Sequence, residues 1–424
     1  MEAFLIRLPY SKEKHRFFFA AEAVGGCVNA IFESISVKSC QKAYTFQKKK
    51  YTSFFLKVGN MRKRETKPYE RCDSTGIYKQ YLARKRAVIP LLLGAAFFLA
   101  VMALGTGASG MSPRAVLSAL CGIGDATNVM IVRNIRLPRI FAAVLAGAGL
   151  SLAGCVMQNV LRNPLASPST LGVSNAAVFG ANFAILLLGA GRFHATDGAM
   201  LTLSNPYLVT LCAFLSALGS AFLILALSGR RGFSPSVVVL SGVALGALFS
   251  AGTTILQYLS LDTEVTAAVF WTFGDLGRAS YGEDAVLFVT VLAAFVYFMF
   301  RRNDYNILAN GDDTAHSLGV RVGRIRFFSL FLASLLCAVS VSFLGIIGFL
   351  GLAAPQIARR VVGNDHRFLL PASALCGSCL LLFSDILARS VLSGVSLPVG
   401  AVTALYGGPI LLWILLKKKG GGVL

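Results

Sequence analysis

The chain has 424 residues, of which 55% are hydrophobic and only 14% are charged, and its formal net charge is +21. A soluble protein of this length needs a larger charged fraction to cover its surface, so the composition excludes an ordinary soluble fold. The positive charge does not indicate nucleic-acid binding, because the basic residues lie in the first 86 residues or beside long apolar runs.

Residues 1–86 form a basic N-terminal extension that contains no convincing membrane span. They hold 19 Lys and Arg against 7 Asp and Glu, and the apolar stretch 17–37 is interrupted by Glu22 and Glu33. That stretch also lacks the clean apolar region and cleavage site of a signal peptide. Met61, followed by a basic triplet, resembles a natural start, so we interpret residues 1–60 as a mis-assigned upstream extension or a disordered tail.

From residue 87 onward, apolar runs of about 17–25 residues recur, and each can cross a hydrocarbon core of ~30 Å as a helix. Helices are expected because lipid cannot satisfy free backbone groups and the runs lack barrel-like alternation. We therefore predict an all-α membrane domain over 87–419, followed by a short tail, 420–424. Its ten predicted spans are 87–105, 140–160, 171–190, 207–227, 237–258, 284–300, 327–345, 346–361, 369–388 and 400–416.

The Lys and Arg residues of the short loops predict the orientation of these spans. If the spans alternate, the basic loops fall on one side, which places both termini in the cytoplasm of a multi-pass inner-membrane protein. The loop 106–139 breaks the pattern, since it is predicted to be external and yet carries Arg114, Arg133, Arg136 and Arg139. This exception suggests that the external arginines have a function.

The spans contain few ionisable residues, which bears on how transport would be energised. Asp385 and Arg389, near the outer end of the ninth span, are the main ionisable residues within the spans, whereas a secondary transporter usually needs buried carboxylates or ion sites. The sequence has no P-loop motif, so the chain cannot hydrolyse ATP through one. We therefore predict a transport component that is not an enzyme and depends on a partner for energy.

The pair Cys376 and Cys379 is a candidate metal or redox site in the sequence. The C-x-x-C spacing is typical of such sites, but the pair lies within an apolar span and has no partner histidine or second pair. Helix packing through small residues explains it better, and no metal site is predicted.

Several motifs follow one another along the membrane domain, and as a set they are rich in glycine, proline and arginine. In chain order they are Arg136-Leu-Pro-Arg139, Gly154-Cys-Val-Met-Gln158, Arg162-Asn-Pro-Leu165, Leu171-Gly-Val-Ser174-Asn175, Ser241-Gly-Val-Ala-Leu-Gly246, Trp271-Thr-Phe-Gly274, Ala315-His-Ser-Leu-Gly319, Gly345-Ile-Ile-Gly348-Phe-Leu-Gly351-Leu-Ala-Ala-Pro355, Ser384-Asp-Ile-Leu-Ala-Arg389 and Leu397-Pro-Val-Gly400. Together they resemble the ten-helix permeases of ABC importers for ferric siderophores, haem and vitamin B12, the FecCD/BtuC-like family. The resemblance covers roughly residues 87–419, and one departure is Gln356, where many relatives carry histidine.

The resemblance implies a docking role for the external arginines. In the family, outward-facing arginines pair with glutamates on the two lobes of a substrate-binding protein, and they match Arg136, Arg139 and Arg389 here. Arginine suits this role because its planar fork binds carboxylates in a bidentate way. The alternative is that Arg136 and Arg139 anchor the end of a span at lipid headgroups.

The resemblance also implies two sets of residues at the cytoplasmic side. The loop 301–326 matches the segment that couples the permease to its ATPase, as short helices turned by glycine. Its candidate coupling residues are Asp312, Asp313, Ala315, Leu318 and Gly319, the two acids being placed to meet basic residues of the ATPase. The candidate gate residues come from the loops after the second and fourth spans and are Asn163, Pro164, Leu165, Ser234, Pro235 and Ser236.

The expected function is that of the transmembrane subunit of an ABC importer, which moves an iron chelate such as a siderophore or haem into the cytoplasm. The expected partners are a second permease copy, two ATP-binding subunits, an extracytoplasmic substrate-binding protein and the lipid membrane, without nucleic acid. No cofactor is expected on this chain, since ATP and Mg would bind the ATPase. Two alternatives remain open: the same machine for cobalamin, and a secondary transporter or channel that works alone.

Overall fold

The computed structural model describes residues 74–107, 111–190, 205–230, 233–391 and 396–416. Over these residues the chain is helical and contains no β-strand. Nearly all of the described residues belong to one compact unit, Tyr78–Leu424. Most of the predicted N-terminal extension, residues 1–73, lies outside the described residues.

Fourteen α-helices, two of which contain a π-helical segment, and one 3₁₀ helix, Leu276–Arg278, are assigned within the described residues. The α-helices are α1 Ser74–Gly105, α2 Pro113–Cys121, α3 Ala126–Val160, α4 Val173–Leu187, α5 Pro206–Gly229, α6 Pro235–Tyr258, α7 Asp262–Thr272, α8 Tyr281–Phe300, α9 Arg302–Leu308, α10 Asp312–Ser317, α11 Val322–Leu344, α12 Leu350–Val362, α13 His366–Ser390 and α14 Val399–Leu416. The π-helical segments are Ile131–Arg136 in α3 and Phe183–Leu187 in α4.

Seven of the described helices are long and apolar enough to cross a membrane, namely α1, α3, α5, α6, α8, α11 and α13. The shorter apolar helices α4 and α14 fall on the third and tenth predicted spans, and α12, with 13 residues, falls on the eighth. Each predicted span thus overlaps a helix, which confirms the all-α prediction. The number ten and the cytoplasmic termini stay predictions.

Local sequence explains where several helices begin. Asn205 caps α5 by accepting a hydrogen bond from the Leu208 backbone amide at 3.3 Å, and Pro206 occupies the first helical position. Helix α8 begins with a capping box, in which Glu283 accepts from the Ser280 amide at 2.8 Å. Such caps satisfy backbone donors that have no partner within the helix.

Helix α3 is the centre of the bundle and packs against α8, α11, α12 and α13. Of its most apolar stretch 78% is buried, against 11% for α1. Glycines let the backbones touch: a Cβ added at Gly154 would lie 1.8 Å from the Gly351 carbonyl oxygen, and one at Gly377 would lie 2.2 Å from that of Gly147. This is the close packing that small residues provide between membrane helices, and Gly377 lies within the C-x-x-C segment.

A second glycine seam joins α6 to the start of α4. Gly172 has φ +76, and a Cβ added there would lie 2.7 Å from the carbonyl oxygen of Gly242. Gly242 and Gly246 form a G-x-x-x-G pair that faces this turn, as the sequence predicts for helix packing. The rest of α6 is largely exposed in the isolated chain, with Leu240 and Leu248 among its uncovered side chains.

Candidate functional site

A cluster of charged residues lies toward the N-terminal end of α3 and is centred on Asp385, which is 0% exposed. One carboxylate oxygen of Asp385 lies 2.7 Å from Nε of Arg139, and the other lies 2.6 Å from a terminal nitrogen of Arg389. Arg139 also approaches Asp275 at 3.6 Å and donates to Ser396 at 3.2 Å. We call Arg139, Asp275, Asp385 and Arg389 the Asp385 cluster.

The three arginines predicted to dock a binding protein are therefore engaged within their own chain. Arg389 donates to the backbone carbonyls of Thr106 at 2.9 Å and of Ala103 at 3.2 Å, at the end of α1. Arg136 is buried and donates to the carbonyl of Leu104. In this conformation Arg136 and Arg389 tie α3 and α13 to the end of α1, and Arg139 ties α3 to α13.

Three of the sequence motifs converge beside this cluster. Phe273 and Ile346 form an isolated β-bridge, and the Val399 amide donates to the Gly274 carbonyl at 2.8 Å. A Cβ at Gly274 would lie 2.4 Å from the Ile346 carbonyl oxygen, and one at Gly400 would lie 2.3 Å from it. The glycines are required here because three backbone segments meet at contact distance.

Arg278 holds the turn that carries Asp275. It donates to the backbone carbonyls of Trp271 at 2.9 Å and Phe270 at 2.8 Å. Burial lowers the pKa of the Arg278 guanidinium, and the charge of Asp275 partly offsets that shift. An arginine remains charged under such conditions, so Arg278 donates charged hydrogen bonds to both carbonyls.

A second charged group lies at the opposite end of α3, about 30 Å away along the helix axis. Its centre is Asp312, which begins α10 and is bound by two arginines. Arg326 contacts both carboxylate oxygens, at 2.8 Å and 2.9 Å, and Arg162 contacts one of them. We call Arg162, Asp312 and Arg326 the Asp312 network.

The candidate coupling residues fall into two groups, those engaged within their own chain and those exposed at its surface. Asp312 has partners within its own chain, and Ala315 is buried beneath α10. Asp313, Leu318 and Gly319 are exposed, with Leu318 uncovered over 62% of its surface. The exposed members, rather than Asp312, are therefore available to a partner.

Helix α9 is anchored to the bundle on two sides. Asn306 donates to Asp365 at 3.0 Å and accepts from the His366 amide at 2.9 Å, which joins it to the start of α13. The buried Tyr305 hydroxyl lies 2.8 Å from the Ser329 hydroxyl in α11. Burial raises the pKa of Tyr305, so the phenol stays protonated in that bond.

The first candidate gate loop, residues 161–166, is held by side-chain amides. Asn163 accepts from the Leu165 amide at 2.9 Å, and Gln356 donates to the Pro164 carbonyl at 3.1 Å. Gln356 also donates to Gln158 at 2.9 Å. The residue that departs from the family's histidine therefore contacts the predicted gate loop directly.

The second candidate gate loop leads into α6. Pro235 occupies the first position of α6, and the Ser234 and Ser236 hydroxyls lie 3.0 Å apart. The preceding Phe233 has φ +56, and Arg162 in the first loop has φ +46. Placing a non-glycine residue in this left-handed region of backbone conformation costs about 1–3 kcal/mol of stability, so it persists only where the surrounding structure holds it.

The structure brings the two predicted gate loops and the predicted coupling segment together, and it keeps the predicted docking arginines at the other end. The sequence alone does not indicate the role of Arg326, which lies at the end of the 301–326 loop and binds Asp312. Nor does it show that Asp385 binds both Arg139 and Arg389, although the spacing of four residues between Asp385 and Arg389 places them on one helix face.

The chain is similar to proteins that are named as transport permeases. A model of the FecCD transport family matches residues 93–417. A Methanocaldococcus jannaschii chain provisionally named as an ABC transporter permease protein is 45% identical over 80% of this chain and 97% of its own length. The Fe(3+)-citrate import system permease protein YfmE of Bacillus subtilis is 37% identical over 78% of this chain and 96% of its own. The vitamin B12 import system permease protein BtuC of Klebsiella pneumoniae is 36% identical over 70% and 86%.

A solved structure described as an inward-facing metal-chelate type ABC transporter shares the fold. It superposes with a TM-score of 0.67 at 29% sequence identity, and the match covers 78% of this chain and 99% of the other. The helical arrangement described above is therefore found in a transporter of this type.

Proposed function

Because this chain belongs to the FecCD transport family, we propose that it is the membrane-spanning permease subunit of an ABC importer and works by alternating access. The observation that carries the proposal is the joining of the coupling segment to both candidate gate loops through Asp312 and Arg326. An ATPase that moves the segment would thereby move the loops. Such a two-state element, biased by nucleotide, is what energy coupling requires.

The substrate is a metal chelate in this proposal. Relatives are named for ferric citrate and for vitamin B12. No residue identified above distinguishes the iron chelate, siderophore or haem, from cobalamin. Iron chelates and cobalamin are therefore equally supported as the substrate. We propose that the binding protein that delivers the chelate selects between them.

The proposed assembly contains two permease copies, two ATP-binding subunits and one extracytoplasmic binding protein. The exposed apolar face of α6 is proposed to meet the second copy and to line the path between them. The exposed Asp313, Leu318 and Gly319 are proposed to meet the ATPase. The membrane location proposed is the inner membrane, in agreement with the seven long apolar helices.

We propose that a binding protein docks at Arg136, Arg139 and Arg389 only after these side chains change their partners. These side chains are held by Asp385 and by carbonyls at the end of α1. Docking through them must therefore accompany a rearrangement of the Asp385 cluster. Arg389→Glu would place a carboxylate against Asp385, so this substitution is expected to disturb folding as well as docking.

Transport by the reconstituted complex tests the proposed function. The permease is co-purified with its ATPase subunit, placed in liposomes with the cognate binding protein, and supplied with ferric citrate, hemin or cyanocobalamin. We expect uptake of one probe that requires ATP and the ATPase. Uptake by the permease alone would instead support a secondary transporter or channel.

Gly319→Pro is expected to abolish ATP-driven uptake while ATP hydrolysis continues. Gly319 has φ +78, which proline cannot adopt, and its amide donates to the His316 carbonyl at 3.0 Å. The control is Gly319→Ala, because a Cβ there meets no atom within 4 Å and only the backbone conformation is strained, at a cost of about 1–2 kcal/mol. Normal uptake by the proline variant would contradict the coupling role.

A further inference from the structure

We propose that Arg326 is a positioning residue that joins the coupling helix α10 to both candidate gate loops, so that the three segments move as one unit. The physical linkage stands on contacts within this chain. Its role in transport rests on the proposed function. The proposal assigns the transmission of motion to one buried guanidinium rather than to general packing of the bundle.

The contacts of Arg326 reach each of the three segments. Its Nε donates to the carbonyl of Val160 at 3.2 Å, where α3 ends and the first loop begins. One terminal nitrogen donates to the carbonyl of Phe233 at 3.4 Å, in the second loop. Both terminal nitrogens bind the carboxylate of Asp312, at 2.8 Å and 2.9 Å, at the start of α10.

The chemistry of arginine is required for this geometry. A planar guanidinium offers five donors in fixed directions, whereas a lysine ammonium cannot bind a carboxylate in a bidentate way and reach two carbonyls on other segments. Arg326 is only 2% exposed, so water cannot replace a lost partner. A buried charge without its counter-ion is strongly unfavourable, which keeps Arg326 and Asp312 together.

Backbone strain supplies a second, independent observation. Arg162 and Phe233 are two of the three non-glycine residues with positive φ in the described part of the chain, and one lies in each candidate gate loop. Arg162 binds Asp312 through its side chain, and Phe233 accepts a hydrogen bond from Arg326 through its carbonyl. Strained residues of this kind persist where the surroundings hold them and are typical of segments that switch between conformations.

Arg162 is the link that can be removed with the least damage, because its side chain is 38% exposed. Arg162→Gln deletes one of the two arginines on Asp312 and leaves the buried Arg326 paired. Arg162→Lys keeps the charge beside Asp312 and serves as the conservative variant. Arg367→Gln is the matched control, since it removes an exposed arginine next to the Asp365 that anchors α9 and touches neither loop.

Hydrogen–deuterium exchange on the purified full-length permease tests the linkage without requiring transport. Arg162→Gln is expected to raise exchange about two- to fivefold in residues 161–166 and 309–320 together, the size expected for a partly exposed ion pair. Arg326→Lys is expected to raise it about tenfold or more and to include residues 233–236. Exchange that rises in one segment alone, or in none, overturns the proposal, and the Arg367→Gln control is expected to match the parent chain.

The role in transport is tested by the amount of chelate taken up per ATP hydrolysed in the liposome assay above, using whichever of ferric citrate, hemin or cyanocobalamin the parent complex transports. Arg326→Lys, which keeps the charge but loses the planar set of donors, is expected to lower this ratio about threefold or more. Arg162→Gln, which leaves Arg326 paired with Asp312, is expected to lower it less. A merely structural role would lower uptake and hydrolysis together and leave the ratio unchanged, which overturns the proposal. If the parent complex transports none of the probes, the proposed function fails, whereas the exchange experiment still decides the linkage.

Discussion

Asp385→Asn is expected to destabilise the folded permease by about 3–5 kcal/mol, because it leaves two arginines without their shared counter-ion in a buried site. Asp385 is 0% exposed and lies within 2.7 Å of Arg139 and 2.6 Å of Arg389. Asparagine has nearly the same volume, so the change removes charge without creating a cavity. The measurement is the midpoint of thermal unfolding of the purified chain in detergent, followed by size-exclusion chromatography after heating.

The control for this substitution is Asp275→Asn. Asp275 also approaches Arg139, but at 3.6 Å and with 45% of its side chain exposed. An exposed ion pair contributes about 0–1 kcal/mol, so the control should unfold close to the parent chain. If both variants lose equal stability, the Asp385 cluster does not hold the helices together in the way described.

Gly154→Ala is expected to separate α3 from α12 and to lower stability by about 1–3 kcal/mol or more. The added methyl group would lie 1.8 Å from the carbonyl oxygen of Gly351, and both contacting groups are backbone, so no side chain can turn away. The same shift would lengthen the 3.3 Å hydrogen bond from Gln158 to that carbonyl. Unfolding of the purified chain in detergent, followed as for Asp385→Asn, measures the effect.

Gly219→Ala provides the matched control, since Gly219 lies within α5 and a Cβ there meets no atom within 4 Å. Alanine favours a helix over glycine by about 1 kcal/mol, so this variant should be as stable as the parent chain or slightly more stable. Equal loss in both variants would show that glycine matters for reasons other than contact between α3 and α12.

The helical architecture could be predicted because length and hydropathy are local properties of the sequence. Each of the ten apolar runs overlaps a helix of the structure. The helices α2 and α7 were not predicted, because α2 is short and Glu264 and Asp262 mark α7 as a polar loop. Helix α3 begins at Ala126 rather than near residue 140, since its polar first turns continue through a π-helical segment that hydropathy does not reveal.

The sequence predicts where the candidate site residues lie better than it predicts their contacts. The motifs indicate which end of the bundle holds the arginines and which holds the coupling segment, but they do not identify the partners of these side chains. Arg139 pairs with Asp385, which lies 246 positions later, and no local pattern encodes such a contact. The sequence predicts that Asp312 faces another protein. In the structure, the turn after α10 instead brings Arg326, 14 positions later, back to bind Asp312.

The enclosure of α3 has a consequence for how the protein is made. Ser151 of α3 donates to the Ser373 carbonyl at 2.6 Å, and Gln158 donates to the Gly351 carbonyl at 3.3 Å, so its polar groups are satisfied by helices synthesised much later. A nascent chain therefore holds α3 in the bilayer with these groups unpaired until α12 and α13 emerge from the ribosome. Messages truncated before α13 should yield chains that membrane quality-control proteases remove, because their central helix lacks the neighbour that contacts it most extensively.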